Sequence, residues 1–528
     1  MLEQIFTRED IKTVRLESPK TPMGDFFRGK TVFLTGGTGF LGKLFIEKLL
    51  RCDVHEIVLL IRSKRDRTPR ERLQRQLERE AIYVRYAKQP DFYWNRLRIM
   101  EGTLEDGKLG LTEPELDYLR RNVNIVIHSA ADVRFDVSLK TIIKTNVTGA
   151  NELLQIALDM KNLVSFLYIS TAYSNCNQEV VAEKFYEMNV DPMAMARLVE
   201  VTEEQHLDAL SRKIMHPWPN SYTYAKALAE NAIRGYCGRL PVAVIRPSIV
   251  ISTAEDPIEG WTDNVYGLNG VVTGFGCGIL RVLHCNSDYH VDIIPADLVV
   301  NSSLAVIWYT STKQPNQVCG SAENVFNCTT RLDKPFAFSD VSKYSKDYIL
   351  QLLPLNALWY PTCKLTPSAN VYYVLQLFYH FIPAILFDCL AKLNGMEPKV
   401  LYIYRKIQQF SDVLTFFTTN EWIFINDKMR KVYDSMAPED RDYFPADIKN
   451  INWGDFFLTY LLGLRKYIVR ESLENLKQSQ RKCFRLLLAH YLIRLVVYSA
   501  LAALLYALLT RSTFKHGLKF IQETIVFY

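Results

Sequence analysis

The run Thr35-Gly36-Gly37-Thr38-Gly39-Phe40-Leu41-Gly42 stands between two segments of different periodicity, and that placement limits the fold more than any other feature of the chain. Before it, Thr31 to Thr35 is a short β-rich run. After it, Phe40 to Leu50 carries apolar residues at helical spacing, and Ile57 to Ile61 reads as a second buried strand. A glycine turn that joins strand to helix inside a β-α-β unit is placed as a dinucleotide fingerprint must be. Its glycines allow a tight turn and let backbone N–H groups approach a pyrophosphate, while the helix N-terminus adds partial positive charge. All eight residues, Thr35 through Gly42, are candidate cofactor contacts.

Val123 to Ile127, Leu163 to Ile169 and Val242 to Ile245 are further short apolar runs separated by helical stretches, the rhythm of a parallel sheet covered on both faces. The expected class is α/β, a Rossmann-type doubly wound parallel sheet followed by a mainly helical C-terminal domain and a membrane segment. The expected boundaries are an arm over 1–28, a Rossmann-type dinucleotide-binding domain over 29–330, a helical domain over 350–470, and an apolar segment over 486–510 that is long enough to cross a bilayer. Sixty-three basic residues set against 57 acidic ones leave a net charge of only +6, which gives no footprint for nucleic acid. The ten cysteines show no C-x-x-C and no zinc-ligand pairing with histidine, so they are expected to be reduced, mostly buried and free of metal. The first thirty residues hold no apolar run, so no secretory signal is expected and the bulk of the chain is placed in a reducing space such as the cytosol.

The second strand runs into Arg62-Ser63-Lys64-Arg65, where an NAD site usually presents an acid to the ribose hydroxyls. Cations there suit the 2'-phosphate of NADPH, with Arg62 the leading ligand and Lys64 the second. Arg67 through Arg79 alternate with glutamates and read as a solvated helix face. Tyr222 and Lys226 lie four apart at the start of a helical stretch, which puts phenol and ammonium on one face for proton transfer, with Lys226 also a ligand for the nicotinamide ribose. Ser170 and Thr171 follow the run Leu163 to Ile169 at the sheet edge where ligands bind; Thr171 is preferred as the hydroxyl that bonds the reacting carbonyl. His128 reads equally well as structural or functional.

Together these residues resemble the extended short-chain dehydrogenase/reductases, and the whole chain after residue 28 resembles the alcohol-forming fatty acyl-CoA reductases. The likeness is carried by the TGGTGFLG turn, Thr145 to Gly149, Tyr222 to Lys226, Val244 to Ser248, the PIEGWTDN segment at Pro257 to Asn264, and Asp292 to Asp297. His380 to Ala384 and Trp453 in the helical part separate it from other extended dehydrogenases. The resemblance implies Tyr222 as proton donor, Lys226 as its modulator, Thr171 as carbonyl ligand, and Asn146 and Pro247 near the cofactor. It implies reduction of a long-chain acyl-CoA to the alcohol through an aldehyde with two NADPH. Thr103 stands where relatives place an acid for the adenine.

An apolar trough for the acyl chain is expected from aromatic residues such as Trp359, Phe378, Phe387 and Phe416. None of the cysteines has the neighbourhood of a nucleophile. Basic residues from Lys466 to Arg485 precede the apolar tail and suit an anionic cytosolic membrane face, at the endoplasmic reticulum, peroxisome or lipid droplet, yet Arg511, Lys515 and Lys519 follow it, so span, hairpin and monotopic anchor all stay open. A buried soluble helix is the alternative for that segment. Rival functions are a membrane-bound sterol or other secondary-alcohol dehydrogenase and a catalytically silent scaffold in lipid metabolism. Oligomeric state is left open, a homo-oligomer included.

Overall fold

The computed structural model describes residues 19–525 except 65–66, 87–89 and 314–323, so most of the N-terminal arm, Arg65 and Cys319 lie outside the described residues. The arm's end is the short helix α1 (Pro22–Phe27), capped by Thr21, with Met23 and Phe27 fully buried. The Met23 N–H donates to the Asp440 carboxylate at 3.1 Å, which staples this end of the chain to its C-terminal half.

The first strands are β1 (Thr31–Thr35), β2 (Glu56–Ile61), β3 (Leu97–Glu101), β4 (Ile125–His128) and β5 (Ser165–Ile169). Then come β6 (Val180–Val181), β7 (Val242–Pro247), β8 (Ile249–Ile251), β9 (Val282–His284), β10 (Ile293–Pro295), β11 (Val325–Cys328), β12 (Lys364–Thr366) and β13 (Ile423–Phe424). Seven of them form one parallel sheet in the order β11-β7-β5-β4-β1-β2-β3. The order reverses between β1 and β4, and a ligand crevice opens at such a switch point. Central strands such as Thr31-Val-Phe-Leu-Thr35 are buried along their whole length, so they read as unbroken apolar or β-branched runs. Edge strand β3 buries only Leu97 and Met100, so it has no unbroken apolar run and is missed by that pattern.

Helices cover both faces. Val32 and Leu34 of β1 face α2 (Phe40–Arg51) and α3 (Pro69–Arg79), while Phe33 faces the layer of α4 (Gly149–Leu158) and α5 (Ser221–Arg234). After α6 (Leu268–Gly276), α7 (Ala296–Thr312) returns to the first face.

The C-terminal region is mainly helical, with α8 (Phe338–Leu352), α9 (Ala369–Gln376), α10 (Ile382–Leu393), α11 (Val400–Thr418), α12 (Trp453–Gly463) and α13 (Leu476–Ile525). It also returns two short strands to the first region, where β12 pairs with β9 and β13 with β6. Strands this short carry no readable period. Trp453, Phe457 and Leu461 of α12 share one core with Leu298 and Leu304 of α7, so the two regions are fused through side-chain packing. The most apolar 18-residue window of the helical stretch Leu473–Thr510 has mean hydropathy 2.2 and is not buried at all, which overturns the alternative of a buried soluble helix. A second helix of sufficient length and apolarity, Ala369–Leu393, is only 17% buried over its window.

Candidate active site

The carboxyl ends of the central strands open into a cleft of about 1210 Å³. At its phosphate end Gly36 has φ +80°, and a Cβ there would lie 2.7 Å from the Ala130 backbone nitrogen. A Cβ on Gly42 would sit 2.0 Å from the Gly36 carbonyl oxygen. The turn is thus a cradle that only glycine leaves open, with the first turn of α2 behind it, and it fits a dinucleotide pyrophosphate. Gly36, Thr38, Gly39, Phe40, Leu41 and Gly42 line the cleft.

Thr35 and Gly37 do not line it. The buried Thr35 hydroxyl bonds His128 Nδ1 at 2.7 Å and accepts the Ala130 N–H at 3.2 Å, and the Gly37 carbonyl accepts from Gln76 Nε2 at 3.1 Å. Asn146 is buried in a π-turn, where its side chain accepts the Asp132 N–H at 2.8 Å and donates to the Asp132 carbonyl at 2.9 Å. Its position braces the loop that follows β4. Pro247 lines the cleft at the end of β7.

Arg62 and Lys64 line the cleft beyond β2, and Arg62 Nη1 lies 3.3 Å from Glu105. Arg72 joins them. The reading of Arg67 through Arg79 as a solvated face fails at this residue, because the turn of α3 that carries it points back over the glycine turn. Its guanidinium donates to the Thr38 hydroxyl at 3.2 Å and to the Arg62 carbonyl. Burial and then the like charge of Arg62 hold its pKa below the ordinary arginine range, so two cations face one space that an anion relieves. The missed signal is the ten-residue offset from Arg62 to Arg72, visible only once α3 is folded back.

At the other end of the dinucleotide arm, Thr171, Tyr222 and Lys226 meet in the cleft wall. Thr171 follows β5 and caps a short 3-10 turn, its hydroxyl accepting the Tyr173 N–H at 3.3 Å. Asn220 caps α5 with a side-chain bond to the Thr223 N–H at 2.9 Å, which starts the helix so that Tyr222 faces Thr171. Burial raises the Tyr222 pKa above its ordinary value, and the Thr171 hydroxyl opposes the shift by hydrogen bonding. The phenol therefore holds its proton at neutral pH. The buried Lys226 ammonium donates to the Ile169 carbonyl at 2.7 Å and lies 4.5 Å over the Tyr168 ring. Burial pulls its pKa down to about 7, with Glu230 one turn along α5 opposing. Ser170 lines the cleft too, but its hydroxyl donates to Glu230. His128 is buried and held neutral, its pKa lowered to about 3 by burial and then by Lys226.

The Lys226 value gives a pH prediction. In the free enzyme the ammonium loses its proton as pH rises through about 7, so kcat/KM should decline on the alkaline side of that value. The contribution to stability runs the other way. The folded pKa lies below the unfolded value, so the penalty of burying the cation is full below pH 7 and is relieved as pH rises toward 10.5. Lys226→Met should flatten that rise in a chemical unfolding series.

From Tyr222 the cleft continues into an apolar arm. Leu268, Val272 and Phe275 of α6, Leu283 of β9, Val341 of α8, Leu365 of β12, and Leu414 and Phe417 of α11 line it. None of Trp359, Phe378, Phe387 and Phe416 does so, which corrects the expectation for the trough. Trp359 is tied to His490, Phe378 and Phe387 are exposed, and Phe416 packs beside Trp422. Cys285 and Cys363 also line the arm, and burial pushes both thiols up to about 12, so neither is a thiolate at neutral pH. None of the nine described cysteines is in a disulfide.

A parallel sheet with a phosphate turn at its switch point, and a tyrosine and lysine side by side at the strand ends, defines a nicotinamide-dependent oxidoreductase. Residues 34–303 match an NAD-binding family model described as male sterility protein, and residues 379–471 match a second model, Sterile, of the same description. The chain is 36% identical to fatty acyl-CoA reductase wat of Drosophila melanogaster over 497 residues, 93% of this chain and 94% of that one. It is 32% identical to human fatty acyl-CoA reductase 1 over 460 residues, 87% of this chain and 88% of that one. It belongs to the fatty acyl-CoA reductases. The reductase domain of a nonribosomal peptide synthetase from Mycobacterium tuberculosis shares the fold, with TM-score 0.54 at 18% identity over 86% of this chain and 94% of that one. The terminal R domain of the myxalamid pathway does so with TM-score 0.54 at 18% identity, over 83% and 90%.

Proposed function

We propose that this enzyme reduces a long-chain fatty acyl-CoA to the primary alcohol, through an aldehyde, with two NADPH in succession. The observation that carries the reading is the single cleft in which Thr171, Tyr222 and Lys226 stand between a phosphate cradle and an apolar arm. The cradle residues Gly36 to Gly42 would hold the pyrophosphate, Arg62, Arg72 and Lys64 the 2'-phosphate, and Lys226 the nicotinamide ribose. When bound, the nicotinamide supplies hydride to the carbonyl carbon. The Thr171 hydroxyl and the Tyr222 phenol orient the carbonyl oxygen and stabilise the charge that develops on it. In the first round the C–S bond breaks, coenzyme A leaves as the thiolate and takes a solvent proton, and the aldehyde keeps its C=O bond. In the second round a new C–H bond forms, Tyr222 passes its proton to the oxygen, and solvent returns one to the phenol. The apolar arm excludes water and stabilises the chain by about 0.8 kcal/mol for each methylene it buries.

The tail is read as the anchor that holds the catalytic domain on the cytosolic face of the endoplasmic reticulum, peroxisome or lipid droplet, with Lys466, Arg470, Lys477, Arg481 and Lys482 toward anionic headgroups. To test the activity, the detergent-solubilised chain is given NADPH and acyl-CoAs of increasing length. Fatty alcohol at two NADPH per product is the expected result. Aldehyde alone would make this a one-step reductase, and turnover confined to sterols would favour the rival dehydrogenase.

Cofactor preference has its own check. Arg72→Ala and Arg62→Ala should each lower the NADPH-to-NADH ratio of kcat/KM by on the order of ten- to a hundredfold, since a hydrogen bond to a charged group contributes about 1.5–3 kcal/mol. An unchanged ratio in both would remove these residues from the 2'-phosphate site.

A further inference from the structure

The run from Ala369 to Leu393 is a helix with its polarity inside out. Its inward stripe is Tyr372, Gln376, His380 and Ala384, all buried. Gln376 Nε2 donates to the Tyr372 hydroxyl at 3.0 Å, and His380 Nε2 accepts the Arg281 N–H at 3.0 Å. Its outward face carries Val374, Leu377, Phe378, Leu386, Phe387 and Leu390, between 48% and 60% exposed. A helix on a water-facing surface turns its apolar stripe inward. Proteins in water rarely leave so continuous an apolar face uncovered.

The run is long enough to span a bilayer, but its neighbours forbid it. Its first turn is held by Tyr372, whose ring stacks on His284 of β9 at 5.5 Å. Its far end turns back into α11, which ends in the cleft wall with the Thr418 hydroxyl donating to the His284 carbonyl at 2.7 Å. Had the run crossed, α11 would have to cross back with the exposed Arg405 and Lys406, and a charged side chain at the bilayer centre is strongly disfavoured. The apolar face is also continuous with the tail. Trp359 Nε1 donates to His490 Nδ1 of α13 at 3.1 Å, and the Arg281 guanidinium lies over both Trp359 at 5.7 Å and Tyr379 at 5.3 Å. Exposed Lys392, Arg405 and Lys406 form a cationic rim suited to anionic headgroups, while Lys399 is paired with Glu397 at 2.7 Å.

We propose that the α9–α10 run is a monotopic foot that lies in the headgroup–acyl boundary of the membrane that takes the tail, and so holds the wall of the acyl arm against the bilayer. The occupant of the exposed face is a lipid surface. The wall in question is the β9–β12 pair, whose Leu283 and Leu365 line the arm and whose His284 carries Tyr372 of the foot. The inference rests on the tail being the anchor, as proposed above, and the test separates the two.

Cys389 is exposed on α10 and takes an environment-sensitive thiol probe. The full chain is labelled in vesicles of phosphatidylcholine and phosphatidylserine, and the signal lost in Cys389→Ser isolates that site. Several-fold stronger quenching by lipids brominated near the headgroup than by lipids brominated at the chain ends is expected. Leu386→Glu with Phe387→Glu should abolish it, while flotation with the vesicles and acyl-CoA turnover in detergent persist. Absence of quenching on a chain that floats overturns the foot, and a Cys389–Cys389 cross-link overturns it in favour of a second copy. A wild-type chain that does not float overturns foot and anchor together, and turnover in detergent reports separately on the enzymatic reading.

Discussion

Tyr222→Phe is expected to lower aldehyde reduction by about 10²–10⁴-fold, the range for loss of a positioned general acid, and to lower thioester reduction by much less. The asymmetry follows from proton balance. Expulsion of a thiolate returns the carbonyl, so the oxygen never needs a proton in the first round and the phenol contributes only a hydrogen bond. An alkoxide formed from the aldehyde is far more basic and must be protonated before it leaves. Burial raises the Tyr222 pKa, so the wild-type phenol is in its proton-bearing form at neutral pH, which suits a donor. Thr171 remains in place in the variant and still accepts the Tyr173 N–H at 3.3 Å, so the local turn has a partner without the phenol. Steady-state rates with acyl-CoA and with free aldehyde, and product analysis by mass, check the prediction. Accumulated aldehyde supports it; equal losses at both steps would assign Tyr222 to oxyanion stabilisation alone.

The phosphate end of this site was legible because its chemistry is local. Eight consecutive residues hold the strand end, the glycine turn and the first residues of the helix. Tyr222 and Lys226 are legible for the same reason, since one helical turn separates them. Ser170 and Thr171 are adjacent, and the preference for Thr171 in the sequence has no visible partner behind it. The decisive partner is Glu230, sixty residues away, which takes the Ser170 hydroxyl and leaves Thr171 beside Tyr222. Arg72 was hidden by its neighbours, because alternating charges describe a solvated helix whichever side faces the cleft. The apolar arm was hidden by distance. It is assembled from α6, β9, α8, β12 and α11, and two of those are strands of three residues. Aromatic content pointed to Phe378 and Phe387, but the same residues lie on the outward face of α9–α10, where hydrophobicity serves a different surface.

Glu230→Gln should cost about 3–5 kcal/mol of stability, because it leaves a buried guanidinium without its counter-charge. Arg246 is fully buried, and its guanidinium meets both Glu230 oxygens, Nη2 to Oε2 at 2.6 Å and Nε to Oε1 at 2.9 Å. Ser174 donates to the same carboxylate at 2.9 Å. Ser170 does as well, so Glu230 ties the end of β5 to α5 directly beneath Thr171 and Lys226. Adding Arg246→Met should return part of the loss, since the uncompensated charge is then gone. A structural role alone would end there, but Glu230 also opposes the fall of the Lys226 pKa. Without its charge the ammonium titrates lower, and the alkaline limb of kcat/KM should move to lower pH in Glu230→Gln. Thermal unfolding and a kcat/KM profile on the same preparations separate the two effects. A destabilised variant with an unmoved profile would leave Glu230 as a brace for the strand end, and a moved profile makes it the residue that sets the charge of Lys226.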